Sequence, residues 1–187
     1  MPTSVASGTS NAADAGRPIL TITAATTATP IVATTATHSL SAGDNVTVAR
    51  IPGAADPVEN ILGYWKNITV PSGTTIGLTG SVGVGTYAGS TASLSKEVTL
   101  ATDTSNKTYV FVVDTAAMQL GDIVELRVYT KALSGGAEGL AYSVVYSHAQ
   151  ADPIKYSPPI PADISVRVTL TQPAGTARAF PWKLLSL

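Results

Sequence analysis

The chain has 187 residues, enough for one large or two small domains with a buried core, and 44% of them are hydrophobic, which excludes a disordered polymer. Only 12% are charged, about half the roughly 25% usual for soluble domains. There is no cysteine, so disulfides and thiolate metal sites are excluded; the 11 basic and 12 acidic residues are spread without a basic run, which argues against phosphate-driven nucleic-acid binding.

Thr, Ala, Ser and Gly take the place of the missing charges, and the net charge is only -1. Such a surface repels its neighbours weakly. Either copies of the chain or a partner cover much of it, or it is a polar but uncharged Thr/Ser surface. The N-terminal stretch MPTSVASGTSNAADAG has neither a positive start nor an apolar core, so it does not read as a signal peptide. No apolar run approaches the ~20 residues of a membrane helix, and no membrane partner is expected. Residues 1–16 are small and polar without a hydrophobic period. They predict a flexible arm, either ordered only against a neighbour or an idle terminus.

From Ile19 onward the pattern is β almost throughout. ILTITA and NVTVARI alternate apolar with polar positions, and YWKNITV, TTIGLTG, KEVTLAT, TYVFVVD, IVELRVYTKAL, LAYSVVYSHA, ISVRVTL and RAFPWKLLSL follow. Thr and Val dominate because β-branched side chains suit a pleated, half-buried surface. Gly, Pro, Asn, Asp and Ser fill the gaps, as turns require. TAAMQLG allows one helical turn at most. About ten short strands at this spacing predict sandwiches or small barrels. The Gly/Ser-rich stretch GSVGVGTYAGSTASLS marks a boundary near residue 95. The predicted fold is all-β: a small β-barrel-like module over 17–94, then an Ig-like or jelly-roll-like antiparallel β-sandwich over 95–187.

The stretch HSLSAGDNVTV raises the question of a reactive histidine, and MQLGDIVELRV answers it. Both read apolar, two residues, Gly-Asp, one residue, then alternating apolar positions. Gly43 and Gly121 can supply the positive φ of a tight turn. Asp44 and Asp122 can accept hydrogen bonds from nearby backbone N–H groups. A pattern used once with histidine and once without reads as architecture. A zinc ion wants three or four ligands, and the only other histidine is His148. Each histidine is expected to be partly buried and satisfied by backbone.

Gly80 to Gly89, GSVGVGTYAG, lacks the Lys-Ser/Thr of a phosphate loop and reads as a β connection. No serine sits in G-x-S-x-G before a helix. Glu125 and Glu138 are a conceivable carboxylate pair, but alternation puts Glu125 and Arg127 on a solvated face opposite Val124, Leu126 and Val128. No catalytic, cofactor-binding or metal-binding residue is assigned. Of the two tryptophans, Trp65 is expected in a core, and Trp182 serves either domain closure or a subunit contact. Phe180, Trp182, Leu184 and Leu185 are the candidate interface, with Pro181 expected to interrupt ladder pairing there.

Residues 19 to about 92 resemble a small β module repeated across tailed-bacteriophage structural proteins. That module reads strand, H-G-L-x-x-G-D-x-V-x-I, an N-G-x-W/Y turn, then F-x-L-x-G-S. His38, Leu40, Gly43, Asp44, Val46, Gly63, Trp65, Leu78 and Gly80 match in order, while Ser39, Leu62 and Ile76 depart from the pattern. The remainder is similar to the C-terminal sandwich of phage virion proteins. The resemblance implies a virion structural protein with no enzymatic activity, assembled in the host bacterial cytoplasm. A capsid decoration or cement protein is expected first, bound to the major capsid protein or other virion proteins as a homo-oligomer. A trimer is favoured, because capsid junctions have local threefold symmetry. A tail, neck or fibre-adaptor component and a host-glycan-binding module are the alternatives.

Overall fold

The computed structural model describes residues 1–11, 18–54, 59–87, 89–131 and 133–187. In chain order the strands are β1 (Thr3–Asn11), β2 (Leu20–Ile22), β3 (Ala24–Ala25), β4 (Ile31–Thr34), β5 (Val46–Arg50), β6 (Gly63–Trp65), β7 (Thr69–Ser72), β8 (Thr75–Leu78) and β9 (Ala92–Lys96). Then follow β10 (Val98–Asp103), β11 (Lys107–Asp114), β12 (Ile123–Lys131), β13 (Gly139–Ser147), β14 (Ile154–Tyr156), β15 (Ile160–Ala162), β16 (Ser165–Ala174) and β17 (Ala179–Ser186). A 3-10 turn at Glu59–Ile61 is the one helical element among the described residues, and 115–121 contains turns but no helix. The fold is all-β, with the strands in four antiparallel sheets.

The chain divides into two compact units. Unit 1 comprises Met1–Asn11, Val98–Leu170 and Arg178–Leu187; unit 2 comprises Ala12–Glu97 and Thr171–Ala177. The expected cut near residue 95 therefore falls inside β9, and the division lies between Glu97 and Val98.

Unit 1 is a sandwich of sheet β1-β17-β11-β14, with β15 also paired to β11, and sheet β10-β16-β12-β13. Alternate residues of four strands supply one core: Tyr109, Phe111 and Val113 from β11; Val124, Leu126 and Val128 from β12; Val166, Val168 and Leu170 from β16; Phe180, Trp182 and Leu184 from β17. This is the period-two signature of a strand with one face turned inward, and each large side chain so buried contributes about 1.5–3 kcal/mol.

The candidate interface is thereby corrected. Phe180, Trp182 and Leu184 are buried in the core, and Leu185, on the alternate face, is partly buried. β17 is an interior strand between β1 and β11. The strand also runs unbroken through Pro181. Its register with β11 ends at Val113↔Trp182, one residue short of the proline, so no ladder bond on that side falls on the missing N–H.

Residues 3–11 are not a flexible arm. They form β1, which pairs antiparallel along β17 from Thr3↔Ser186 to Asn11↔Ala179. Backbone pairing needs no hydrophobic period, and small side chains suit what lies beneath. Gly8 stands opposite Trp182, and a Cβ there would meet the indole at 3.2 Å. The remaining arm residues, 12–16, lie outside the described residues.

Unit 2 contains sheets β2-β9-β5-β6 and β3-β4-β8-β7, neither closed into a barrel. Their shared core holds Leu20, Ile22, Ile31, Val46, Val48, Ile76, Leu78 and Leu94, with Leu40, Ile61 and Ile68 added from connections. Trp65 packs partly buried against it and donates its indole N–H to Ile61 O at 2.9 Å. The stretch read as a Gly/Ser-rich boundary contains all but the last residue of β9, which lies between β2 and β5. Its serines misled the pattern: Ser93 and Ser95 are buried, and Ser93 Oγ donates to Pro173 O at 2.6 Å.

Two outcomes test the role of β1. Deleting residues 1–11 uncovers Trp182 and should lower the stability of unit 1 by about 2 kcal/mol or more in denaturant unfolding. Gly8→Val drives a branched side chain against the indole and should cost about 1–3 kcal/mol, read by the same titration.

Candidate functional site

The two Gly-Asp segments fold as the same device. Gly43 and Gly121 have φ of 90° and 93°, the left-handed region where a Cβ is strained. In the first, Asp44 N–H donates to Ser41 O at 3.1 Å, and Ser41 N–H returns a bond to Asp44 Oδ2 at 2.9 Å. In the second, Asp122 N–H donates to Gln119 O at 3.1 Å, and Gln119 N–H to Asp122 Oδ2 at 2.8 Å. Each aspartate thus closes the turn through both its backbone and its carboxylate. The turn opens on a buried residue, Leu40 or Met118, and delivers the chain to β5 or β12.

A second segment then braces each turn. Gly43 N–H donates to Ile68 O and Ile68 N–H to Asp44 O, both at 2.9 Å. In the other turn His148 N–H donates to Asp122 O at 2.8 Å, while Gly121 N–H donates to His148 Nδ1 at 3.0 Å. The imidazole does there what the Ile68 carbonyl does in the first turn. Each carboxylate also holds a cation: Lys96 Nζ lies 2.6 Å from Asp44 Oδ1, and Arg178 Nε pairs with Asp122 Oδ2. Asp122 is only 1% exposed, so its pair is much the drier of the two.

The histidines accordingly have separate structural partners. His38 Nδ1 accepts Leu40 N–H at 3.3 Å, and His38 N–H donates to Gly73 O at 3.0 Å. Among the described residues His38 Nε2 is buried without a hydrogen-bond partner. His38 belongs to unit 2 and His148 to unit 1. No group of three or more His, Cys, Asp or Glu among the described residues could hold a metal ion.

The expected solvated face of β12 is instead buried. Glu125 is 7% and Arg127 5% exposed, and Arg127 Nε and Nη2 donate to Glu125 Oε1 at 2.9 and 2.6 Å. Ser143 Oγ adds a bond to the same oxygen at 3.2 Å. Burial works against the Arg127 charge, but Glu125 and Tyr129 outweigh it and hold the guanidinium above its ordinary pKa. Alternation predicts which residues share a face, but not whether that face is covered. Glu138, the other carboxylate of the conceivable pair, belongs to Arg167, with Nη2–Oε2 at 2.6 Å, and Arg167 lies 4.0 Å over the Tyr129 ring. The two carboxylates therefore have separate cationic partners.

The Gly80 to Gly89 loop spends its polar groups on its own unit. Ser81 N–H and Oγ both donate to Leu78 O, Ser81 Oγ accepts Ile31 N–H at 2.7 Å, and Gly83 N–H donates to Ala28 O at 3.1 Å. A Cβ on Gly83 would lie 2.2 Å from the Thr27 carbonyl carbon, which makes that glycine a packing requirement. Tyr87 OH donates to Ile22 O at 2.9 Å and accepts Ala92 N–H at 3.1 Å.

In unit 1 a shallow groove of about 390 Å³ is lined by Ser7, Thr9, Val112, Asp114, Ile154 and Lys183, among others. Exposed apolar side chains lie both at turns, such as Leu120 at 87% and Leu133 at 73%, and on strands β13 and β14. Leu120 occupies the place of Ala42 in the first turn, directly before the glycine. Both tryptophans pack against cores, which leaves Tyr156 as a well-exposed aromatic ring. Comparison of the chain with known protein families, with curated proteins and with solved structures finds no match.

Asp122→Ala should leave Arg178 and the Gln119 N–H without their buried partner and cost about 2–4 kcal/mol. Asp44→Ala, whose cation is more exposed, should cost about 1 kcal/mol, so the order of the two melting temperatures checks the assignment. Gly121→Val should cost about 1–3 kcal/mol through backbone strain alone.

Tyr109 supplies a pH test. Burial first, then the bond and charge of Asp103, push its hydroxyl up to about 12, while the Ser105 hydroxyl works the other way. Asp103 is itself held below the usual carboxylate range: burial would raise it, but bonds from the Ser105 N–H and hydroxyl and from Tyr109 win. The folded state favours neutral Tyr109, so its contribution is complete below the ordinary value of 10.0 and is lost as pH rises from there to about 12. Ultraviolet titration of the seven tyrosines should show this one ionising last, and Tyr109→Phe should remove that late step.

Proposed function

We propose that the chain is a structural component of a tailed-bacteriophage virion, and more narrowly a decoration protein that docks on the capsid shell. The observation that carries this reading is the work done by the residues of the phage-module pattern. Leu40 and Val46 enter the core, Gly43 takes positive φ, Asp44 closes the turn and His38 accepts the Leu40 N–H. Each of these residues makes architecture, which is what a repeated structural module requires of its signature.

In this reading the chain has no catalytic role and takes no cofactor. Its partners are the major capsid protein or other virion proteins, and the contact is built from apolar and uncharged polar groups. With 23 acidic and basic side chains in 187 residues, and several of them already paired internally, charge cannot dominate a large interface. Leu120 and Leu133, exposed at turns of unit 1, are the side chains such a contact would use first.

Stoichiometry in purified particles tests the assignment. A shell protein is present in numbers on the order of hundreds per virion, as icosahedral symmetry demands. A count of a dozen or fewer would move the chain to the tail or neck, and absence from the particle would end the reading. Attachment should also survive ~0.5 M salt, because screening acts mainly on exposed charges. His38→Ala should leave particle occupancy unchanged.

A further inference from the structure

We infer that the free edge of β13 is a self-association surface, and that its occupant is a second copy of this chain related by a two-fold axis. β13 ends the sheet β10-β16-β12-β13, and among the described residues its ladder partner is β12 alone. Alternate residues of an edge strand direct their N–H and C=O groups away from the sheet, where another strand can pair with them.

The other edges carry the devices that discourage such pairing. β2, β3, β6, β14 and β15 have three residues or fewer, and β14 and β15 carry Lys155 and Pro161. β7 contains Pro71, and β10 is bulged between Thr99 and Ala101 and ends on Asp103. β1 is bulged between Ser4 and Ala6 and offers mainly Ser, Thr and Gly side chains. β13 has nine residues, GLAYSVVYS, with no charge and no proline. Its bulge is confined to Ala141, so Tyr142 to Ser147 pair in unbroken register.

The side chains on this edge fit a copy of themselves. Tyr142, Val144 and Tyr146 line the core-facing side and are only partly buried. On the other side Leu140 and Val145 are 53% and 54% exposed, in register with buried Tyr129 and Glu125. An antiparallel copy centred on Val144 sets Tyr142 against Tyr146 of the copy, Val144 against Val144, and Ser143 against Val145. Aromatic and β-branched cross-strand pairs are the stabilising kind, and no like charges meet on the strand. The nearby cation, Lys155, is engaged 5.0 Å over the Tyr146 ring. Pairing of this kind joins two four-stranded sheets into one of eight. It is isologous, so it gives a dimer and not the trimer that shell symmetry suggests.

Light scattering after size exclusion, at about 1–100 μM, tests this on the full chain. The expected mass is twice the 19.0 kDa of the chain, with a dimer fraction that rises with concentration. Val145→Lys sets two like charges diagonally across the axis on an exposed face and should raise the dimer dissociation constant on the order of tenfold or more. Circular dichroism checks that this variant stays folded. Because the chain has no cysteine, Val144→Cys gives a second readout: mild oxidation should link two chains, and Thr99→Cys, on another strand, should not. A monomer at the highest concentration, a trimer, an undiminished folded dimer in Val145→Lys or equal cross-linking by the two cysteine variants would each overturn the proposal. None of these results depends on particle attachment, so it stands or falls separately from the virion reading.

Discussion

Register is the constraint on which both units depend, and a hydrogen-bonded aspartate sets it. A strand that slips by one residue turns its whole apolar set to the wrong face. β5 lies between β9 and β6, and β12 between β16 and β13, so a slip in either would misplace two neighbours. The turn before each strand is locked from three sides: the positive φ of the glycine, the paired bonds of the aspartate to the residue three before it, and a brace from Ile68 or His148. Once Asp44 and Asp122 are fixed, Val46 and Val48, and Val124, Leu126 and Val128, have no choice of face.

That device was legible in the sequence because it rests on local chemistry. Gly-Asp before an alternating run encodes its conformation within a few residues, and its recurrence separated architecture from reactivity. The main strands were legible for the same reason. β1 and β9 were not: TSVASGTSN and ASLSK have small polar side chains, and their stability comes from ladders made to residues far along the chain. Small size is a requirement there, since Gly8 must admit the Trp182 indole. A pattern that counts hydrophobic residues cannot register a position whose value lies in having no side chain.

Coverage is the second thing sequence pattern leaves open. In β17 the alternation of Phe180, Trp182 and Leu184 was visible, yet whether that stripe met solvent, a partner or the chain's own core depended on where β1 and β11 lay. In β12 the polar stripe of Glu125 and Arg127 was visible too, and its burial was not. There both guanidinium contacts and a serine hydroxyl converge on one carboxylate oxygen, and such contacts are what make a buried ion pair tolerable.

The same pairs explain why so few charges go a long way in one direction and a short way in another. Asp122 with Arg178, and Glu125 with Arg127, spend charge inside the molecule, where it fixes geometry. What reaches the surface is thinner than the composition already implies, and long-range repulsion between copies is correspondingly weak. Resistance to strand addition then has to rest on short edges, bulges and prolines, one edge at a time. Where all three are missing, as along Tyr142 to Ser147, nothing in the charge pattern replaces them. The sparse charge and the bare edge are therefore one property: a surface that contact with its own kind does not penalise.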